Sequence, residues 1–293
     1  MSEAIHSPSK FSEAASQAIE HAPTRISRLF HRCRATRRKA FIAYLTAGHP
    51  TPAHTASLVL AAERGGADLI ELGVPFSDPI ADGPVIQRAS DRALRAGTTL
   101  AGILASVREI RRQSDIPLLL FSYLNPLLRY GFDRLAQDAA SAGIDGVLLT
   151  DLCVEEARGP VSKLRVQGLD TVFLAAPTSS EKRLRLVARE SSGFVYLVSR
   201  TGVTGEQASL SQAVMPLVQK MRTLTETPLA VGFGISTPAQ VREVAALADG
   251  IVVGSAIVRC IETHGAAPDL PHRLSAFIGE LAYPLRYPLQ NDR

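Results

Sequence analysis

Cysteine is scarce and scattered. Cys33, Cys153 and Cys260 are far apart and lack metal-ligand spacing, so reduced thiols in a reducing compartment are expected and a disulfide framework is not. Long apolar runs are missing too, and none approaches the ~20 residues of a membrane span. Residues 1–24 are polar and small and lack the apolar core of a secretory signal, while Glu3, Glu13 and Glu20 do not fit a transit peptide. The cytoplasm is therefore the expected location, with residues 1–24 a poorly ordered extension. No GxGxxG follows the first apolar run, and no nicotinamide, flavin or P-loop motif is present. The seven histidines show no ligand spacing, so no metal is expected. No lysine ends an apolar run, which argues against a Schiff-base aldolase.

What is there reads as a large α/β enzyme. Apolar residues make up 46% and charged residues 20% of the 293, ordinary for a chain with a substantial core. Much of the +4 net charge sits between Arg25 and Lys39. With few aromatics interleaved, that stretch reads as an amphipathic helix, Ile26, Leu29 and Phe30 on one face and arginines on the other, rather than a nucleic-acid patch.

Eight short apolar runs recur: 40–48, 67–74, 116–123, 145–151, 170–177, 194–200, 228–234 and 249–255. Continuous runs of this length suit strands buried on both faces, as in a parallel sheet. Helical periods lie between them, for example at 53–64, 133–142, 154–167, 181–190, 210–222 and 238–247. Several strand entries share a glycine, a spacer and an aspartate: Gly66-Ala67-Asp68, Gly143-Ile144-Asp145 and Gly168-Leu169-Asp170. Eight such units predict a single (β/α)₈ TIM barrel over 25–293 with an extra N-terminal helix; an open doubly wound sheet is the alternative. The intervals after the second and sixth runs are the longest. They predict long loops over the active site, with a further helix around 100–113.

Within this frame Glu71 is conspicuous, because it interrupts the second apolar run. A carboxylate there is either a general acid/base with a raised pKa or a satisfied structural group. The next stretch, 74–84, is stiffened by Pro75, Pro79 and Pro84 and carries Asp78 and Asp82. On composition either aspartate fits a turn, and Asp82 also fits a helix cap. Being in a wetter loop, Asp82 is expected to keep an ordinary pKa. The loop 199–205 holds two glycines and small hydroxyls and reads as a hinge or a substrate contact. Gly232-Phe233-Gly234 and Gly254-Ser255 follow the seventh and eighth runs. In barrels those loops and a short helix commonly hold phosphate. The residues by themselves thus point to acid/base chemistry on a phosphorylated small molecule.

The string from Glu71 to Pro84, ELGVPFSDPIADGP, with Ile86-Gln87 behind it, resembles the signature of the tryptophan synthase α subunit family. The likeness continues through Tyr123-Leu124-Asn125-Pro126, 146–151, 196–205, 232–236 and 254–258, covering about Arg25 to His264. It implies reversible retro-aldol cleavage of indole-3-glycerol phosphate to indole and glyceraldehyde 3-phosphate, a carbon–carbon lyase reaction. It implies that Glu71 is the general acid/base and that Asp82 hydrogen-bonds the indole N–H. It places Tyr196 beside the glutamate, Thr204 on a lid, and Gly205, Gly234, Gly254 and Ser255 at the phosphate with Phe233 between. Tyr44, Phe121, Tyr123 and Asp151 match positions around the indole pocket. It implies no cofactor in this chain, and as partner a β subunit that uses pyridoxal phosphate and takes up the indole, in a tetramer of two α and two β chains. Cys153 departs from the pattern, which more often has proline there. A stand-alone indole-releasing lyase, a non-catalytic regulatory barrel and a phosphosugar isomerase or epimerase are the competing readings.

Overall fold

The computed structural model describes residues 22–198, 210–232 and 234–286. All strands are parallel: β1 (Ala40–Thr46), β2 (Leu69–Gly73), β3 (Leu118–Ser122), β4 (Gly146–Leu149), β5 (Asp170–Val172), β6 (Leu174–Ala175), β7 (Val195–Val198), β8 (Leu229–Gly232) and β9 (Gly250–Val253). The sheet order is β5-β4-β3-β2-β1-β9-β8-β7-β6. Its two ends are consecutive in the chain, joined at Phe173, so the sheet closes into a barrel. The eight expected runs are all strands, and the fifth is split in two by Phe173.

Alternation along each strand sorts the side chains into two cores. On β1, Phe41, Ala43 and Leu45 join the layer between sheet and helices. Ala40, Ile42 and Tyr44 point into the barrel with Leu69, Leu119, Phe121, Leu148 and Tyr196. The helix Arg25–Ala35 seals the lower end of that interior, with Ile26, Leu29, Phe30 and Cys33 buried and Phe30 5.7 Å from Phe194 between ring centroids. Its amphipathic reading is borne out. Thr24 caps this helix and donates to Asp170 at 2.5 Å, so the last residue of the expected extension is tied to the barrel. Residues 1–21 lie outside the described residues.

The glycine–aspartate entries have a physical explanation. Gly66 and Gly143 end their helices in left-handed backbone, at φ 110° and 100°, where a side chain would be strained. The aspartates then do more than turn the chain. Asp68 accepts the N–H of Phe41 at 2.9 Å, Asp145 that of Leu118 at 2.8 Å and Asp249 that of Leu229 at 2.9 Å. Each carboxylate ties the start of one strand to its neighbour.

The added length after β2 is mostly helical, as Pro84–Arg95 and Leu100–Arg111, which leaves 74–83 as the loop. The loop after β7 falls at 199–209, outside the described residues. The segment 154–167 is a 3₁₀ turn, Val154–Glu156, followed by the helix Arg158–Val166, and not one helix. Leu124–Tyr130 and Leu270–Arg286 are helices that the apolar pattern did not single out. No helix of the described residues is long and apolar enough to cross a membrane.

Candidate active site

A cavity of about 530 Å³ opens at the C-terminal ends of the strands, where the βα loops of such barrels carry function. Its floor is Glu71. The residue is 1% exposed, and among the described residues neither carboxyl oxygen has a hydrogen-bond partner. Burial alone pushes its carboxyl up from 4.5 to about 8. A buried, unpartnered carboxyl is costly for folding, and the described residues do not satisfy it as a structural core glutamate would require.

Two tyrosines flank it. Tyr44 sits opposite Glu71 in the β1–β2 register and packs its edge on Phe121, ring centroids 5.3 Å apart. Tyr196 projects from β7, and both hydroxyls are pushed well above the usual tyrosine range, by burial first. Their positions depend on two strand-end glycines. A Cβ on Gly73 would overlap the Tyr44 hydroxyl, and one on Gly232 would overlap that of Tyr196.

Asp82 reaches the cavity from the stiff loop after β2. It is not a cap, since the helix Pro84–Arg95 starts from Gly83 with no side-chain cap bond. Backbone and side-chain bonds hold the loop instead. The Asp82 N–H donates to the Pro79 carbonyl at 3.0 Å, and Gln87 Nε2 donates to the Asp82 carbonyl at 2.8 Å. Tyr123 serves both sides: its hydroxyl accepts the Ala81 N–H at 2.9 Å and donates to Asp82 Oδ2 at 3.1 Å. The expected ordinary pKa for Asp82 is overturned. Burial pushes it up to about 6, against the downward pull of the Tyr123 hydrogen bond. Much of the loop is exposed, as its composition implied, but the Asp82 side chain turns into the cavity and is half-buried there. Asp78 accepts from its neighbour Ser77 at 2.5 Å, as a turn residue does.

Across the cavity lie Gly234, Gly254 and Ser255. Gly234 has φ 78°, and Gly254 starts the helix Ser255–His264 with no side-chain cap bond. The first N–H groups of that helix, with its dipole, are suited to an anion. The structure thus brings Tyr44, Glu71, Asp82, Phe121, Tyr196, Gly234, Gly254 and Ser255 around one space, with Tyr123 behind Asp82. Asp151 is apart from it: exposed, with its carboxylate accepting the Leu124 N–H at 2.7 Å. Thr204, Gly205 and Phe233 lie outside the described residues. Sequence reading missed Ser236, Arg259 and Phe277, which also line the cavity. Helical spacing offered a signal for Arg259, four residues beyond Ser255.

The comparisons with known proteins agree. A family profile described as Tryptophan synthase alpha chain matches residues 30–281. The tryptophan synthase alpha chain of Solibacter usitatus is 63% identical over 258 residues, covering 88% of this chain and 97% of that one. That of Geotalea uraniireducens is 50% identical over 258 residues, covering 88% and 96%. Among solved structures, tryptophan synthase subunit alpha from Legionella pneumophila superposes with TM-score 0.81 at 36% identity, covering 90% of this chain and 99% of that one. A chain of Mycobacterium tuberculosis tryptophan synthase gives TM-score 0.82 at 39% identity, covering 90% and 99%.

Proposed function

The chain belongs to the tryptophan synthase alpha chain family, and from that premise we propose that it cleaves indole-3-glycerol phosphate to indole and glyceraldehyde 3-phosphate. The observation that carries the reading is Glu71, a buried carboxyl without a partner among the described residues, held on the floor of a cavity that ends in a helix start suited to an anion. With its pKa near 8 it is largely protonated at neutral pH and can donate to C3 of the indole. The resulting indolenine is positive on the ring nitrogen. Asp82, ionised above about pH 6, accepts the ring N–H and stabilises that charge. Glu71, now a carboxylate, takes the proton of the glycerol hydroxyl next to the ring. The hydroxyl carbon becomes the aldehyde as the carbon–carbon bond breaks, and the bonding pair returns to the ring to give neutral indole. Glu71 ends protonated, as it began. Gly234, Gly254 and Ser255 hold the phosphate, Tyr44, Phe121 and Tyr196 enclose the ring, and Tyr123 fixes Asp82. Thr204, Gly205 and Phe233 complete the set, and Asp151, apart from the cavity, holds the Leu124 N–H at the start of the helix after β3.

These steps need no cofactor of this chain's own. The partner is the β subunit, whose pyridoxal phosphate chemistry consumes the indole, in a tetramer of two α and two β chains. The cytoplasm fits the unpaired Cys33, Cys153 and Cys260. Size-exclusion chromatography with a β subunit, followed by an indole-release assay on the joint peak, tests the reading. Co-elution with faster indole release than the chain gives alone is expected. Equal rates alone and in complex would favour a stand-alone lyase, and co-elution without turnover a regulatory barrel.

A further inference from the structure

We propose that Arg259 supplies the positive charge that recognises the substrate's phosphate, an assignment that rests on the lyase reading. The cavity has a charge problem. Asp82, ionised at neutral pH, must share the space with a phosphate dianion, while glycine N–H groups and a serine hydroxyl contribute dipoles but no net charge. Arg259 is the one cation among the described residues lining it. Its place on the helix suits the task. It lies four residues after Ser255, one turn on and on the same face. Helical side chains lean towards the N-terminus, so the exposed Arg259 side chain is within reach of the helix start that lacks a side-chain cap.

Pairing nearby sharpens the case. Arg88 and Arg92 both hold Glu262, and Arg273 holds Asp269. Among the described residues Arg259 has no carboxylate partner, although Glu262 is one turn further along its own helix. Its fork of N–H donors is therefore available to phosphate oxygens, in the geometry guanidinium and phosphate share. The N–H cradle fixes where the phosphate sits, and Arg259 fixes how strongly a charged substrate is preferred over an uncharged one.

The test compares wild type, R259Q and R259K as full chains, first by calorimetric titration with inorganic phosphate and then in the lyase assay with the β subunit. R259Q should bind phosphate about tenfold more weakly, the size of one charge-assisted contact. Its KM for indole-3-glycerol phosphate should rise by a similar factor with kcat nearly unchanged, and the rise of KM with salt should flatten. R259K, which keeps the charge but not the fork, should recover most of the affinity. Unchanged phosphate binding in R259Q, no phosphate binding by wild type, or a fall in kcat at constant KM overturns the assignment. If R259Q loses phosphate but no variant releases indole, the lyase reading fails and the phosphate role of Arg259 stands.

Discussion

At the scale of single residues, burial divides the labour between two carboxylates. Glu71 is sealed in the barrel and titrates near 8, and Asp82 is partly covered and titrates near 6. The reaction needs the first protonated and the second ionised, so kcat/KM should follow a bell with limbs near those values. A rate profile flat from about pH 5 to 9 would contradict this assignment. Glu71→Gln keeps the shape and removes the proton carrier, so indole release should fall by several orders of magnitude with binding retained. The same substitution should stabilise the fold. The folded chain holds a proton on Glu71 that the unfolded chain releases above 4.5. Stability is therefore fully present below 4.5 and is lost as pH rises to about 8, by up to about 1.4 kcal/mol per pH unit. Glutamine escapes that loss, so in urea melts E71Q should gain on wild type progressively from about pH 5 to pH 8; parallel curves would show that Glu71 is ionised in the folded chain. Glu71 was legible in the sequence because a charge inside an apolar run is rare. The state of Asp82 was not, because its burial comes from its side chain turning into the cavity, and composition does not encode that.

At the scale of elements, the barrel was legible wherever local pattern and tertiary role coincide, as in the apolar runs and the glycines that end helices. It was not legible where proline misleads. Leu124–Tyr130 carries Pro126 in its first turn, and Leu270–Arg286 carries Pro271 at its start and Pro284 near its end. A first-turn proline gives up only an N–H that has no helical partner, so Pro126 and Pro271 are compatible with helices that the apolar pattern did not single out. The split of the fifth strand at Phe173 left no trace in the pattern. The element that matters most for chemistry is the loop 74–83, stiffened by its prolines and pinned by Tyr123 from the end of β3. Tyr123→Phe removes both of those bonds. The Tyr123 hydroxyl lowers the Asp82 pKa, so its loss should move the acid limb of the kcat/KM profile to higher pH as well as loosening the loop. A lowered rate with the acid limb unmoved would mean that Tyr123 serves the ring pocket and not Asp82.

At the scale of the whole molecule, the two ends of the barrel carry different loads. The upper end keeps Glu71 unpartnered and glycine N–H groups open, arrangements that cost stability. The lower end concentrates charge pairing. Asp145, buried at the entry of β4, accepts the Leu118 N–H at 2.8 Å, Arg111 at 2.9 Å and Arg25 at 3.1 Å. Arg25 begins the helix that seals the barrel floor, so this one carboxylate joins the floor helix, the strand β3 and the helix Leu100–Arg111. Its place in a glycine–spacer–aspartate strand entry did not reveal this, since all three partners are distant in sequence. Asp145→Asn keeps the size and removes the charge, leaving the Arg111 side chain, 11% exposed, without its ion-pair partner. Such a loss costs about 3–5 kcal/mol when a buried pair is broken, here towards the lower figure because Arg25 retains Asp115. The site lies at the opposite rim, so kcat/KM per folded chain should stay at the wild-type value while the urea midpoint falls. A variant that melts normally but has lost activity would show that the floor of the barrel also sets the geometry of the mouth.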